Sequence, residues 1–240
     1  MKEINLTENP DVSVIVPVFN NARFIAPTLD SLVKQSYKNF EIIVVNDGST
    51  DESDRVLQHF SFDRRLKVIN QAHAGVGDAL NTGHSAARGK YITYCAPGNV
   101  YYETFLQVMS VTIGITEKQN PPINFVYSDF EFLNPQGRAV QRISHNTTAN
   151  TKQRLMMSYD IGFSLMYSRE LWEQTGPYWG KGAEDYQWAI RAAQYGEFGL
   201  VCAVLSGQII GSATPNDEEA IKECIELAAQ LFAVEAESVG

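Results

Sequence analysis

Two acidic segments carry the side chains most able to do chemistry. In residues 46–51, which follow an apolar run, the carboxylate of Asp47 can accept hydrogen bonds from a ligand. In residues 182–186, Glu184 and Asp185 open a predicted helix behind a glycine-rich loop, so a carboxylate there can be aimed into a site. Both segments also have a structural interpretation, because an Asp-Gly step forms good turns and acidic side chains stabilise helix N-termini.

The elements that must position residues 46–51 form a strand, helix and strand unit. Residues 12–18 and 41–45 are apolar, β-branched runs, typical of strands buried on both faces. Between them, residues 25–33 carry apolar side chains at helical spacing. Strands joined in this way pair in parallel through a right-handed crossover, and ligands collect beyond their carboxyl ends. We therefore predict a ligand site where residues 17–20 meet residues 46–51.

The same alternation continues along the chain. Further strands are predicted at residues 66–70, 91–95, 124–128, 163–167 and 200–205. Further helices are predicted after a capping box formed by Ser49 and Glu52, and over residues 79–86, 103–117, 152–159, 169–175, 183–195 and 216–237. A turn at residues 134–137 predicts a small antiparallel addition, followed by an exposed loop at 142–151. We expect one α/β domain over residues 1–240, with a core at 12–205, a mostly parallel central sheet flanked by helices, and a C-terminal helix at 216–237.

Composition limits the classes of function. The chain has 240 residues and a formal net charge of −9. Its content of 44% hydrophobic residues is ordinary for a soluble globular protein. The negative charge argues against broad nucleic-acid binding. The apolar runs are too short to span a membrane, and residues 1–11 do not resemble a signal peptide. The three cysteines, Cys95, Cys202 and Cys224, lack metal-like spacing and indicate buried thiols, so we expect a cytoplasmic location, or a peripheral one at the inner membrane face.

Four segments together resemble the family 2 glycosyltransferases with the GT-A fold. They are residues 14–20 (VIVPVFN), 44–51 (VVNDGSTD), 89–92 (GKYI) and 182–186 (GAEDY). Each segment is weak alone, but the four in register, covering residues 12–200, are specific. The resemblance implies a GT-A, Rossmann-like sheet and a nucleotide-sugar donor, with UDP as the favoured nucleotide. It also implies inverting transfer of the sugar to a glycan or lipid-linked acceptor hydroxyl, in polysaccharide or glycoconjugate biosynthesis.

The resemblance assigns roles to individual residues. Asp47 would bind a uracil-like base, while Pro17 and Phe19 would line the same edge and the Phe19 ring would offer a stacking face. Asp185 would be the general base that takes the proton from the acceptor hydroxyl. Roles in acceptor binding or positioning fall to Glu184, Trp188 and Lys181. Strand termini and core packing are the structural alternatives for Pro17, Phe19 and Trp188.

The chain departs from the family where a divalent metal is normally held. Family members follow the fourth strand with an Asp-x-Asp or Asp-Asp cluster, which binds Mg²⁺ or Mn²⁺ against the diphosphate. Here the loop contains no carboxylate and reads Ala96, Pro97, Gly98 and Asn99. Leu80 replaces a frequent arginine before Asn81, and residues 208–212 lack a frequent late histidine. A metal is thus expected from the family, while its ligands are missing from this sequence.

These departures leave two functions open. The first is an active inverting glycosyltransferase with little or no dependence on metal, in which Lys181, Arg88 or a helix N-terminus opposes the charge of the leaving diphosphate. The second is a pseudo-glycosyltransferase that binds a nucleotide sugar or a glycan, or that partners an active enzyme. A dinucleotide-dependent enzyme is excluded, because residues 19–21 lack the glycines of a pyrophosphate-binding turn. A homodimer, a further domain or a partner subunit stays open. His73, His84 and His145 show no ligand spacing and are interpreted as surface or structural residues.

Overall fold

The computed structural model describes residues 9–145, 155, 161–179, 182–212 and 218–237. In this part of the chain, the strands are β1 (Val12–Val18), β2 (Phe40–Asn46), β3 (Leu66–Asn70), β4 (Tyr91–Tyr94), β5 (Asn99–Tyr101), β6 (Ile123–Leu133), β7 (Ala139–Ile143), β8 (Leu165–Ser168) and β9 (Glu197–Ile209). The helices are α1 (Ala22–Val33), α2 (Ser53–His59), α3 (Val76–Ala86), α4 (Phe105–Thr116), α5 (Arg169–Thr175), α6 (Glu184–Ala192) and α7 (Glu218–Glu237).

The strands form one sheet in the order β3-β2-β1-β4-β8-β6-β9-β5, with β7 beside β6. The half that contains β3, β2, β1 and β4 is parallel throughout. In the other half β6 and β9 are parallel, whereas β8 is antiparallel to β4 and β6, and β5 is antiparallel to β9. The predicted α/β class, a mostly parallel sheet with a small antiparallel addition, is confirmed.

Both faces of the sheet are covered, which explains why β1, β2, β4 and β8 are buried at every position. Successive side chains of a strand point to opposite faces. Val14 and Val16 of β1 therefore join one buried cluster with residues of α1, α2 and α4, whereas Ile15 joins a second with residues of α3, α5 and α6. On α7, Cys224 and Ala228 are buried in that second cluster. In the part of the chain that the structure describes, the layers leave the ends of these buried strands open to a ligand.

Several predicted boundaries were wrong. The Ser49–Glu52 capping box does not form, because the Ser49 hydroxyl accepts a hydrogen bond from the Asn20 backbone N–H at 3.1 Å and α2 begins without a side-chain cap. Strand β5 was missed because it has only three residues and begins at Asn99, within the segment predicted as a loop. Residues 142 and 143, predicted as loop, belong to β7. The predicted helix at 152–159, apart from Leu155, and the loop residues 146–151 lie outside the described residues.

The three cysteines differ in their exposure to solvent. Cys95 and Cys224 are buried as expected, but Cys202 is exposed on β9, so that part of the prediction was wrong. None of the three forms a disulfide.

Among the described residues, we find no helix with both the length and the apolar character needed to cross a membrane. The single-domain organisation stays a prediction.

Candidate functional site

A pocket of about 430 Å³ opens beyond the carboxyl ends of β1, β2 and β4. Its lining combines predicted residues from separate parts of the chain, namely Pro17, Phe19, Asp47, Ala96, Pro97, Asn99 and Asp185. We call this cavity the strand-end pocket. It lies at the sheet edge where parallel α/β folds bind ligands.

A second and larger cavity, of about 620 Å³, lies at the opposite end of the sheet. Its lining includes Lys90 and Glu117, which form an ion pair at 2.6 Å, and Arg169, whose guanidinium donates to the Gly89 carbonyl. None of the predicted site residues lines it. The larger volume of this cavity is therefore no evidence that it is the functional site.

The two loops beside the strand-end pocket are joined to each other. Asn20, which adopts the left-handed conformation that asparagine tolerates (φ 51°), accepts a hydrogen bond from the Thr50 N–H at 2.7 Å. The carboxylate of Asp51 accepts from the backbone N–H groups of Ala22 and Ser53, each at 3.0 Å. The polar residues after β1 and β2 thus fix the pocket edge, so that their side chains are not all available to a ligand.

The carboxylate of Asp47 is only 2% exposed and is held by four donors. One oxygen accepts from Gln71 Nε2 at 2.7 Å and from the Ala74 N–H at 3.0 Å, and the other accepts from the Gly75 N–H at 2.9 Å and from His73 Nδ1 at 2.8 Å. Burial alone would raise the pKa of Asp47, but these hydrogen bonds lower it below the ordinary value. Because a carboxylate offers about four lone-pair sites, Asp47 is saturated by the loop at residues 71–75.

The ring of His73 lies where the family resemblance places a base. It stacks on Phe19 with ring centroids 3.8 Å apart and an interplanar angle of 13°, while its Nδ1 contacts Asp47. A base that used the same ring face and the same carboxylate would have to displace this imidazole. The His73 side chain is 52% exposed to solvent, so its outer side is not covered by other side chains. Sequence reasoning missed this role, although the position of His73 just after β3 was a usable signal.

Asp185 reaches the same pocket from the first turn of α6. Its carboxylate accepts hydrogen bonds from the Tyr186 N–H at 2.8 Å and from the Tyr94 hydroxyl at 3.2 Å. Burial raises the pKa of Asp185 and the neighbouring Glu184 adds to the rise, while the two hydrogen bonds offset part of it. Tyr94, at the end of β4, was not predicted as a site residue. Asp185 is therefore a carboxylate with an increased proton affinity.

The other predicted site residues lie away from the strand-end pocket or outside the described residues. Glu184 faces a neighbouring cavity rather than the strand-end pocket. Trp188 is 2% exposed, donates from its indole N–H to the Gly176 carbonyl at 3.0 Å and packs against other aromatic rings, so it has no open face for an acceptor. Arg88 pairs with Glu41 at 2.9 Å at the far end of the sheet, which rules it out as a counter-charge in this pocket. Lys181 lies outside the described residues.

The loop at residues 96–99, to which the family resemblance assigns a divalent metal, does not fit one here. Gly98 has a φ of +94°, and a Cβ added to it would collide with the side chain of Ser212, so a carboxylate at this position has no space. Asn99 is 2% exposed and its Oδ1 has no hydrogen-bond partner. Within the described residues, no group of three His, Cys, Asp or Glu side chains could hold an ion. One amide oxygen is a poor ligand set for Mg²⁺ or Mn²⁺.

Comparison with known proteins identifies the family. The model of glycosyl transferase family 2 matches residues 13–175. The chain therefore belongs to this family, and the resemblance noted in its motifs is confirmed.

Individual relatives agree with this assignment. RP339 of Rickettsia prowazekii (strain Madrid E), an uncharacterized glycosyltransferase, is 30% identical over 174 residues, which are 70% of this chain and 53% of that protein. The structure of S. aureus TarS 1-349 in complex with UDP-GlcNAc covers 91% of this chain and 65% of its own, with a TM-score of 0.74 and 20% identity. The structure of the mannosyltransferase PcManGT from Pyrobaculum calidifontis, in complex with GDP-Man and Mn²⁺, covers 96% of this chain and 76% of its own, with a TM-score of 0.63 and 18% identity. The structural likenesses support the GT-A fold, and the chain spans 20% to 53% of the length of its Rickettsia relatives.

Proposed function

We propose that this chain transfers a sugar from a UDP-linked donor to an acceptor hydroxyl with inversion, and that Asp185 is the general base. The observation that carries this proposal is that Asp185 faces the same pocket as Asp47 and Phe19. A base-recognition edge and a carboxylate with a raised pKa thus open into one cavity. The UDP-GlcNAc bound in the TarS complex supports a uridine nucleotide.

The chemistry follows from the position and proton affinity of Asp185. The acceptor oxygen forms a bond to the anomeric carbon while the bond from that carbon to the diphosphate oxygen breaks. The proton of the hydroxyl passes to the Asp185 carboxylate, and the electron pair leaves with UDP. A raised pKa makes the carboxylate a stronger base, and the Tyr94 hydroxyl holds it in place at 3.2 Å. Attack opposite the leaving group inverts the anomeric centre.

The leaving diphosphate has to be stabilised by the chain itself. Gln208 lines the pocket beside Asn99 and supplies a neutral amide donor. We also propose Lys181 as the counter-charge to the diphosphate, because it lies three residues before the start of α6 in the sequence. Donors fixed in advance around a developing charge can lower a barrier without a metal.

Release of nucleoside diphosphate tests the proposed activity. The chain would be incubated in EDTA with a panel of nucleotide-diphosphate sugars and a mixed panel of acceptors, with the Asp185→Asn variant as the blank. We expect UDP to be released above the blank from at least one UDP-sugar. Absence of release from every donor, in EDTA and in Mn²⁺ alike, would contradict catalytic activity.

A pseudo-glycosyltransferase is the second candidate, and two observations favour it. The loop at residues 96–99 holds no carboxylate, and His73 covers Phe19 and occupies Asp47. Such a protein would bind a nucleotide sugar or a glycan without turnover. Specific binding of either ligand together with no release of nucleoside diphosphate would select this function.

The dependence of turnover on pH is a further prediction. The pKa of Asp185 is raised above the ordinary 3.8, so the basic form is lost at a higher pH than for an unperturbed aspartate. On the acid side, kcat/KM should therefore fall with a midpoint above 3.8. Tyr94→Phe removes a hydrogen bond that lowers this pKa, and should move the midpoint upward. Profiles of kcat/KM against pH for the wild type and Tyr94→Phe check both shifts. Identical midpoints in the two proteins would contradict the hydrogen bond between Tyr94 and Asp185.

A further inference from the structure

A third cavity adjoins the strand-end pocket, since His73 lines both. Its volume is about 540 Å³, and its lining includes Gly77, Asp78, Tyr178, Trp179 and Glu184. We call it the Trp179 pocket. Sequence analysis singled out only Glu184 among these residues, and it assigned an acceptor role to Trp188, which is buried.

Trp179 presents an indole ring that is ready to receive a ligand. The residue is 56% exposed, unlike the buried Trp188. The guanidinium of Arg191 lies over the Trp179 ring, 4.8 Å from its centroid. Arg191 is itself fixed, because it donates to the carbonyls of Thr175 and Pro177, each at 2.7 Å. One face of the indole is thus backed by an anchored cation, which leaves the other face for a ligand.

The backbone before Trp179 is anchored as well. Asn81 of α3 donates from its amide to the Tyr178 carbonyl at 2.8 Å and accepts from the Tyr178 N–H at 2.8 Å. The Tyr178 hydroxyl is 3.0 Å from that of Tyr167 in the core. Ordering the Trp179 ring therefore costs little when a ligand binds, because the segment is already held in place.

The rim of the Trp179 pocket is acidic. Asp78 and Glu184 line it, and none of the described residues of its lining is a lysine or an arginine. Carboxylates accept hydrogen bonds from hydroxyl groups, and an aromatic ring offers an apolar face to the C–H groups of a pyranose. The same carboxylates repel phosphate and uronate groups. This chemistry selects an uncharged sugar.

The position of Glu184 connects this cavity to the reaction. Glu184 and Asp185 are consecutive residues in the first turn of α6, and they face the Trp179 pocket and the strand-end pocket respectively. We propose that the Trp179 pocket is the acceptor subsite, and that it binds an uncharged pyranose of a glycan whose C–H face stacks on Trp179. The acceptor role rests on the proposed function, whereas sugar binding at Trp179 does not.

Sugar binding can be measured without turnover. Neutral oligosaccharides, uronate-containing oligosaccharides and UDP-sugars would be titrated separately into the full chain by isothermal titration calorimetry. We expect binding of neutral but not of uronate-containing oligosaccharides, its loss in Trp179→Ala and its partial recovery in Trp179→Phe, while binding of UDP-sugars is unchanged in both variants. Phe62→Ala, a second exposed aromatic residue at 69% exposure, is the matched control and should behave as the wild type. Preferential binding of uronates, or a response to UDP-sugars alone, would overturn the proposal.

Kinetics separate this proposal from the proposed function. Where turnover is found, Trp179→Ala should raise KM for the acceptor at least tenfold and leave stabilisation by UDP unchanged. An unchanged KM in Trp179→Ala would overturn the acceptor subsite while the transferase activity stands. Glycan binding that depends on Trp179, together with no turnover in any condition, would support the sugar site and contradict the transferase activity.

Discussion

Replacing Asp185 with asparagine is expected to lower kcat by about 10²- to 10⁴-fold, the range typical of losing a general base. The amide matches the shape of the carboxylate: its oxygen can still accept from the Tyr186 N–H, and its NH2 group can donate to the Tyr94 hydroxyl oxygen. It cannot accept the proton of the attacking hydroxyl. The fold and the binding of UDP should therefore persist, and turnover at saturating donor and acceptor is the measurement.

The matched control for this variant is Glu170→Gln. Glu170 occupies the first turn of α5, as Asp185 occupies the first turn of α6, but it does not line the strand-end pocket. We expect its kcat to equal that of the wild type. If Asp185→Asn kept full turnover, the general base would have to be another group.

Replacing Asp47 with alanine should cost both stability and nucleotide binding. The variant leaves the Ala74 and Gly75 N–H groups without their acceptor and releases Gln71 and His73. Because hydrogen bonds to a buried charge are among the stronger ones, we expect the free energy of unfolding to fall by about 3 kcal/mol. Denaturant unfolding measures this loss, and UDP should no longer raise the Tm.

The effect of Asp47 should also depend on pH, with a defined sign. Its pKa is lowered in the folded state, so its stabilisation is fully present above the ordinary value of 3.8 and is lost as pH falls through the folded value. The stability difference between the wild type and Asp47→Asn should therefore shrink below pH 3.8. Asp30→Asn, at an exposed position on α1, is the control. Wild-type stability in Asp47→Ala would contradict the hydrogen-bond network.

Sequence patterns alone could place the edge of the site. Continuous apolar runs identified β1 and β2, and the rule that ligands bind beyond the carboxyl ends of parallel strands located the pocket. The motif resemblance then brought Asp47 and Asp185 to the same cavity, where the structure also has them. The positions of these residues at one cavity could be predicted because they depend on local periodicity and on a general property of the fold, whereas their roles stay predictions.

Long-range contacts could not be predicted in the same way. The saturation of Asp47 by the loop at residues 71–75 depends on the path of the chain after β3, which no local pattern specifies. The choice between Trp179 and Trp188 depends on which ring meets Tyr167 and Gly176 in the core. Gly98 and Ser212 are far apart in sequence, so only the structure reveals that a carboxylate at position 98 has no space.

A thermal-shift titration with UDP in EDTA tests most directly whether this pocket recognises the nucleotide without a metal. We expect the Tm to rise with UDP concentration as the free ligand exceeds its dissociation constant, and Mn²⁺ to add little to the rise. GDP should stabilise the chain less than UDP, and Asp47→Ala should abolish the shift. No stabilisation by any nucleotide, or stabilisation that requires Mn²⁺, would contradict metal-free recognition of a nucleotide sugar in the strand-end pocket.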